Sequence, residues 1–251
     1  SWSPSGGSGA SANNLSAGYY TVTVTDVNGC TSTDDVTITE PPVIALNATF
    51  TDLLCNGAAD GTAQVAAAGG TPGYSYSWSP SGGNNPSATG LSGGNYTVTV
   101  TDANSCTETA SVTIAEPSAL SAVPASTDIT CLGAANGTAT VNAGGGTPTY
   151  TYAWAPSGGT SSSASGLNAA TYTVTITDLN GCTTTATSVV AEPAQVTATL
   201  AASANVSCNG ASDGSASVTA GGGIPGYTYT WSPSGGNAAN ATGLGAGTYT
   251  V

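Results

Sequence analysis

A repeat period of about 76 residues constrains this chain more than any other feature, because a fixed period indicates one structural unit repeated along the chain. The four tryptophans mark it at Trp2, Trp78, Trp154 and Trp231, with two equal steps and a third that is longer by a single position. Each is followed 13 residues later by a leucine and, 5 residues after that, by a tyrosine, namely Leu15, Leu91, Leu167, Leu244, Tyr20, Tyr96, Tyr172 and Tyr249.

The dipeptide Glu-Pro recurs with the same period, beginning at Glu40, Glu116 and Glu192. We take it as the end of each unit. The chain is then expected to be a stretch of a longer array, with the C-terminal part of one repeat at 1–41, complete repeats at 42–117 and 118–193, and the N-terminal part of a further repeat at 194–251.

Within one unit the apolar residues alternate, as they do in half-buried β-strands. In the second unit, strands are predicted at 62–67, at 74–80, at 96–102 and through Val112 and Ile114. The Asn-Gly pairs at 28–29 and 180–181 predict type I′ hairpin turns. No window shows a helical stripe. The prediction is an all-β chain of tandem immunoglobulin-like β-sandwich repeats that form an extended rod. A solenoid with continuous ladders between units is the alternative.

The recurring aromatic residues have two interpretations. Trp78 lies where such sandwiches bury a central indole, and the Leu91-to-Tyr96 spacing resembles a tyrosine corner. The alternative is a surface platform on which sugars stack. Since aromatic residues of this size dominate the core of a small domain, we expect all four Trp–Leu–Tyr sets to be structural core.

Composition excludes several classes of function. The chain has 13 acidic residues and no Lys, Arg or His, for a formal charge of -13. Electrostatic binding of nucleic acid or of anionic lipid needs a basic surface, so we expect neither. Catalytic triads and dyads that use His or Lys as base are impossible. Carboxylate pairs remain available, but Asp26, Asp102 and Asp178 recur in every unit, unlike a single active site. We predict that the chain is no enzyme.

The six widely spaced cysteines indicate disulfides and an oxidising, extracellular setting. Two sets of pairs compete. Pairing within repeats joins Cys55 to Cys106 and Cys131 to Cys182, with equal spacing. Pairing across boundaries joins Cys30 to Cys55, Cys106 to Cys131 and Cys182 to Cys208. Because the extra position of the longer third step falls between Cys182 and Cys208, we favour pairing within repeats, with Cys30 and Cys208 bonded outside the chain.

Calcium is the one cofactor that the sequence suggests. Its oxygen ligands would come from Asp26, Asp102 and Asp178 at the hairpins and from Glu40, Glu116 and Glu192 at the repeat ends. The alternative is turn chemistry, in which Asp binds its own backbone.

Three segments of the second unit carry a family resemblance: 55–63 (CNGAADGTA), 69–78 (GGTPGYSYSW) and 91–102 (LSGGNYTVTVTD). They resemble the SprB-type repeat, and the match recurs at 131–178 and 208–251. The chain departs from the usual pattern in lacking Lys and Arg and in having Ser105 where a turn glycine is customary.

The resemblance implies a very large cell-surface adhesin of Bacteroidota, exported by type IX secretion. We therefore expect a structural stalk or filament segment in gliding motility or surface attachment. Its expected partners are extracellular surfaces or polysaccharide and neighbouring repeats, with no nucleic acid and no insertion into a membrane. The alternative is an array of carbohydrate-binding modules appended to a secreted enzyme.

Overall fold

A computed structural model describes residues 1–251 and contains only β-strands, turns and loops. There is no helix of the length and apolarity that crossing a membrane would need. The eighteen strands are β1 (Trp2–Ser3), β2 (Gly18–Thr25), β3 (Thr31–Ile38), β4 (Ala45–Thr51), β5 (Gly61–Ala68), β6 (Ser75–Ser79), β7 (Ser87–Leu91), β8 (Gly94–Thr101), β9 (Thr107–Ile114), β10 (Ser121–Thr127), β11 (Gly137–Gly144), β12 (Thr151–Ala155), β13 (Ser163–Leu167), β14 (Ala170–Thr177), β15 (Thr183–Val190), β16 (Thr197–Ala204), β17 (Gly214–Gly221) and β18 (Asn240–Leu244).

Each complete repeat consists of two antiparallel three-stranded sheets. Within the predicted bounds 42–117, one sheet has the order β4-β5-β7 and the other the order β6-β8-β9. Within the predicted bounds 118–193, the orders are β10-β11-β13 and β12-β14-β15. The apolar residues of β8 face inward, and its threonines are more exposed. One face of the sheet therefore lies on the core. This arrangement is the predicted immunoglobulin-like sandwich, and the predicted fold class is confirmed.

Every sheet takes its strands from a single repeat. The buried apolar residues likewise form separate clusters, one around Trp78, one around Trp154 and a smaller one around Trp231. A solenoid would instead extend its ladders from one unit into the next. The chain divides into two compact units, Ser1–Glu116 and Pro117–Val251.

The sequence identified β5, β6, β8 and β9 but missed β4 and β7. The sequence of β7, Ser-Ala-Thr-Gly-Leu, has little β-branched or aromatic character and so carries no strand signal. It forms a strand because its ladder with β5, interrupted by a register shift after Gly61, inserts Ala88 and Leu91 into the core.

The type I′ prediction for the hairpin turns was wrong. Type I′ requires positive φ at both central residues, and at residues 28–29 only Gly29 has one, at 85°. The Gly29 N–H closes the turn on the Asp26 carbonyl at 3.1 Å. The result is a three-residue hairpin loop with a left-handed residue before the second strand.

Candidate functional site

The predicted Trp–Leu–Tyr sets are buried in the complete repeats. Trp78, Leu91 and Tyr96 are 6%, 1% and 5% exposed, and their counterparts Trp154, Leu167 and Tyr172 are buried to a similar degree. In the partial repeats, Trp231, Leu244 and Tyr20 are buried, while Trp2, Leu15 and Tyr249 are half-buried. A buried indole has no face to offer a sugar ring, so Trp78, Trp154 and Trp231 do not form a stacking platform.

Each of the four tyrosines binds the backbone of the loop that precedes it. The Tyr96 hydroxyl donates to the Ser92 carbonyl four residues upstream, at 3.1 Å. Tyr20, Tyr172 and Tyr249 donate in the same way to Ser16, Asn168 and Gly245. This is the geometry of a tyrosine corner, and it gives the buried hydroxyl the partner that burial requires.

The indole of Trp78 is held by the loop that follows its strand. Its Nε1–H donates to the Asn85 carbonyl at 2.9 Å. Gly82, with φ at 125°, passes so close that a Cβ there would meet the Cβ atoms of Trp78 and Ala88 at 2.9 Å. Only glycine fits such a position, which explains why Gly-Gly follows each Trp-x-Pro-Ser.

The hairpin aspartates are satisfied by backbone amides. One carboxylate oxygen of Asp102, Oδ1, accepts from the N–H of Asn104 at 2.9 Å and of Cys106 at 2.8 Å. The other, Oδ2, accepts from the N–H of Thr71 at 2.9 Å. Asp178 makes the equivalent three bonds with Asn180, Cys182 and Thr147. These buried carboxylates therefore tie the hairpin to the turn after β5 or β11.

The same contacts set the protonation of the two groups. The pKa of Asp102 is lowered, first because the Thr71 amide stabilises the carboxylate and then through the Cys106 and Asn104 amides; burial opposes this. The pKa of Asp178 is lowered for the matching reasons, with Thr147 contributing most. Both side chains are negatively charged in the folded chain at neutral pH.

The acidic residues expected to ligate calcium are not gathered into a cluster. No group of three or more His, Cys, Asp or Glu side chains is placed to hold a metal ion. Glu40 and Asp102 do line one cleft, together with Glu108, but the Asp102 oxygens already accept the amides described above. Asp26 accepts the Asn28 and Cys30 amides, and Glu116 and Glu192 accept from Gly57 and Gly133. Turn chemistry accounts for the Asp26 contacts, whereas Glu116 and Glu192 each accept from a turn 59 residues earlier in the chain.

The predicted disulfides within repeats are wrong. Cys106 and Cys131 are exposed free thiols, so neither Cys55–Cys106 nor Cys131–Cys182 is formed. The reason is distance: Cys106 directly precedes the eight-residue strand β9, whereas the Cys55 turn lies beyond its far end. Eight residues of strand span roughly 26 Å, and a disulfide needs Cα atoms within about 7 Å. The competing pairs each use Cys30, Cys106, Cys131 or Cys208, all free thiols.

These features define a class of protein: tandem all-β repeats, each a sandwich closed around its own Trp, Leu and Tyr. The model of the SprB repeat family matches residues 47–83, 124–160 and 200–236, so these three segments are similar to the SprB repeat. The three matches begin at 47, 124 and 200, in step with the period of the tryptophans.

The comparison with curated proteins found no match. Two solved structures are similar in part. Three N-terminal domains of the bacteriophage RB49 Highly Immunogenic Outer Capsid protein (Hoc) align at 15% identity and a TM-score of 0.40, covering 76% of this chain and 75% of that one. A tetra-tandem repeat in the extending region of a large adhesion protein aligns at 18% identity and a TM-score of 0.28, covering 96% and 74%.

Proposed function

We propose that this chain is a stalk segment of a very large secreted adhesin of a Bacteroidota cell surface, exported by type IX secretion, and that it has no catalytic activity. The observation that carries the proposal is the succession of three matches to the SprB repeat, which begin 77 and then 76 residues apart. A repeat whose core is confined to itself is suited to a stalk, because copies extend its reach without altering the fold of their neighbours.

The surface chemistry supports a role as a spacer rather than as a catalyst. With no Lys, Arg or His, the chain has no imidazole or amine to act as a general base and no cationic side chain to bind an anionic substrate. Its acidic residues repel one another, which favours separation of neighbouring stalks in a dense surface layer. The segment holds the adhesive part of its protein away from the cell, for attachment or gliding on surfaces and polysaccharide.

Antibodies raised against this chain test the proposed location. On intact source cells, immunogold labelling is expected at the outer surface, and extracellular proteinase should remove it. Deleting this segment in frame should shorten the labelled surface structure and weaken attachment, while secretion of other proteins continues. Labelling seen only after permeabilisation contradicts the proposal.

A glycan array with this chain tests the carbohydrate-binding alternative. Because Trp78, Trp154 and Trp231 are buried, we expect no binding of the chain at millimolar sugar. Saturable binding to one glycan class would assign the adhesive role to the repeats themselves and would overturn the purely structural role.

A further inference from the structure

The segment between the third and the fourth repeat is short and is bound on both sides. We propose that Glu192-Pro193-Ala194 is a stiff coupling instead of a flexible linker. The third repeat holds the chain as far as Glu192, and the fourth repeat holds it from Ala194 onward. All of these residues belong to the compact unit Pro117–Val251. The inference concerns this unit alone and does not depend on the proposed function.

The contacts on the side of the third repeat begin directly after β15. The Ala191 N–H donates to the Asp128 carboxylate at 2.8 Å, and the Ala191 carbonyl accepts from the Ile129 N–H at 3.1 Å. The next residue, Glu192, accepts from the Gly133 N–H at 3.4 Å through its carboxylate. The backbone is therefore fixed through both polar groups of Ala191 and through the Glu192 side chain.

The second repeat makes the same contacts where its own last strand ends. The Ala115 N–H donates to the Asp52 carboxylate at 2.8 Å, and the Leu53 N–H donates to the Ala115 carbonyl at 3.0 Å. The Glu116 carboxylate accepts from the Gly57 N–H at 3.1 Å. In both complete repeats, the glutamate of Glu-Pro thus binds a turn of the repeat that it ends.

The contacts on the side of the fourth repeat come from the turn after its second strand. The Gly223 N–H donates to the Ala194 carbonyl at 2.7 Å. Gly222, with φ at 66°, passes so close to the chain that a Cβ there would collide with the Gln195 carbonyl oxygen. Only glycine allows such an approach. The Gly222-Gly223 turn is therefore a close-fitting seat for residues 194–195.

The seat recurs in the second and third repeats. The Gly70 N–H donates to the Pro42 carbonyl at 2.6 Å, and the Gly146 N–H donates to the Ser118 carbonyl at 2.7 Å. In both, a Cβ on the glycine before the donor would collide with the next carbonyl of the segment. The acceptor is always the residue directly after Glu-Pro, so the position of the seat relative to Glu-Pro is the same in all three repeats.

The one irregularity of the repeat period leaves the coupling unchanged. The residues directly after Glu-Pro are evenly spaced, at 42, 118 and 194. The additional position of the fourth repeat lies further along, inside β16. Between Leu200 and Ala202 the pairing with β17 shifts, so that Ala201 is an extra residue. A β-bulge in the strand therefore absorbs the insertion, and the segment before it keeps its length.

Little rotation is left between the two sets of contacts. The ring of Pro193 fixes φ of that residue at about −65°. The residue before a proline is confined to extended conformations, which restricts ψ of Glu192. The torsions that remain are ψ of Pro193 and φ of Ala194. Flexible linkers, by contrast, are runs of Gly and Ser that behave as random coil.

Backbone ¹⁵N relaxation of the whole chain tests the coupling. The order parameters of Glu192, Ala194 and Gln195 are expected to equal those of β11, at about 0.85. A flexible linker would instead give values below about 0.6. Values in that lower range at Ala194 and Gln195 would overturn the proposal.

Two alanine variants separate the seat from the general effect of replacing a glycine. Gly222→Ala places a methyl group against the Gln195 carbonyl, so the order parameters of Ala194 and Gln195 should fall and the Gly223 amide should exchange faster. Gly210→Ala is the matched control, because Gly210 also has a positive φ, of 86°, but no atom lies within 4 Å of a Cβ there. Equal order parameters of Ala194 and Gln195 in the two variants would overturn the role of the seat.

Glu192→Ala and Glu192→Gln test the other side of the coupling. Alanine removes the acceptor of the Gly133 N–H, so hydrogen exchange of the Gly133 amide should be faster than in the unaltered chain. Glutamine keeps a side-chain oxygen as acceptor, so exchange should be slower than in the alanine variant. The same exchange rate of the Gly133 amide in both variants would contradict the contact on which this side depends.

Discussion

The backbone N–H of Thr71 donates a hydrogen bond of 2.9 Å to the carboxylate of Asp102, 31 residues further along the chain. Thr147 and Asp178 repeat the contact at 2.8 Å over the same 31 residues. In each complete repeat this bond joins the turn that follows the second strand to the hairpin that closes the opposite sheet. The two sheets of the repeat are thereby connected by a charged, buried side chain.

Asp102→Asn should destabilise the second repeat at neutral pH. An amide places an N–H donor against either the Thr71 amide or the two hairpin amides, and a buried amide is left without an acceptor. Urea unfolding at pH 7 should show a lower midpoint than for the unaltered chain. Asp26→Asn is the matched control: its Oδ1 accepts two hairpin amides, at 2.8 Å, and Asn retains that oxygen, so a smaller change is expected. Equal losses would contradict the role given to Thr71.

The lowered pKa of Asp102 and of Asp178 predicts how stability depends on pH. A carboxyl whose pKa is lower folded than unfolded stabilises the fold above its unfolded pKa, near 4, and loses that contribution as pH falls through the folded value. As the pH is lowered from about 4 through the folded pKa values, the midpoint of unfolding should therefore decrease. In the double variant Asp102→Asn/Asp178→Asn, this decrease of the unfolding midpoint in acid should be smaller. An unchanged acid profile would show that other carboxyls govern it.

Ser105→Gly should stabilise the second repeat by about 0.5–1 kcal/mol, because serine is strained in the left-handed region while glycine is not. Ser105 has φ at 68°, where the other two hairpins have Gly29 and Gly181, each at 85°. The reciprocal change, Gly181→Ser, should destabilise the third repeat by a similar amount. Chemical denaturation of both variants measures the two changes in unfolding free energy. A shift of the same sign in both would contradict the prediction.

Tyr96→Phe should cost about 1 kcal/mol of unfolding free energy, the usual value of one hydrogen bond. The change removes the donor to the Ser92 carbonyl and keeps the ring in the core. Tyr172→Phe should have the same effect on the third repeat. Tyr19→Phe is the control, because that ring is 59% exposed and its hydroxyl donates to the Asp35 carboxylate at the exposed surface, so the urea midpoint should change less. Unfolding midpoints of Tyr96→Phe and Tyr172→Phe that match the control would refute the tyrosine corner.

Chelation should leave the thermal unfolding midpoint unchanged. The oxygens of Asp102 and Asp178 already accept backbone amides, and no three acidic or cysteine side chains are grouped to hold an ion. Calorimetry with EDTA and with millimolar calcium checks this. A calcium-dependent rise of several degrees would restore the calcium hypothesis at the hairpin and Glu-Pro positions.

The features that the sequence predicted are those with local patterns. Strands β5 and β8 have alternating apolar residues, and the Trp–Leu–Tyr spacing repeats without error, so both the all-β class and the core residues were accessible. Strand β4 could not be predicted from the sequence, because five of its seven residues are exposed and Ala, Asn and Thr give it no clear alternation. It is a strand because it pairs with β5 and packs beside β9.

The predictions of the hairpin turn type and of the disulfide pairs were wrong for different reasons. Asn28-Gly29 is the usual type I′ pair, but the Asp26 side chain accepts the Asn28 and Cys30 amides and stabilises another loop, a competition that dipeptide statistics omit. The cysteine pairs could not be derived from spacing, because equal separations along the chain do not reveal that Cys55 and Cys106 lie at opposite ends of one repeat.

Pulling the reduced chain between its termini in a single-molecule force experiment tests most directly whether each complete repeat is a separately folded sandwich. Two unfolding steps of equal length are predicted from the repeats at 42–117 and 118–193. Each should add roughly 250 Å of contour length, because about 76 extended residues are released and the length of the folded repeat is subtracted. A single cooperative step that releases both repeats together would contradict the account.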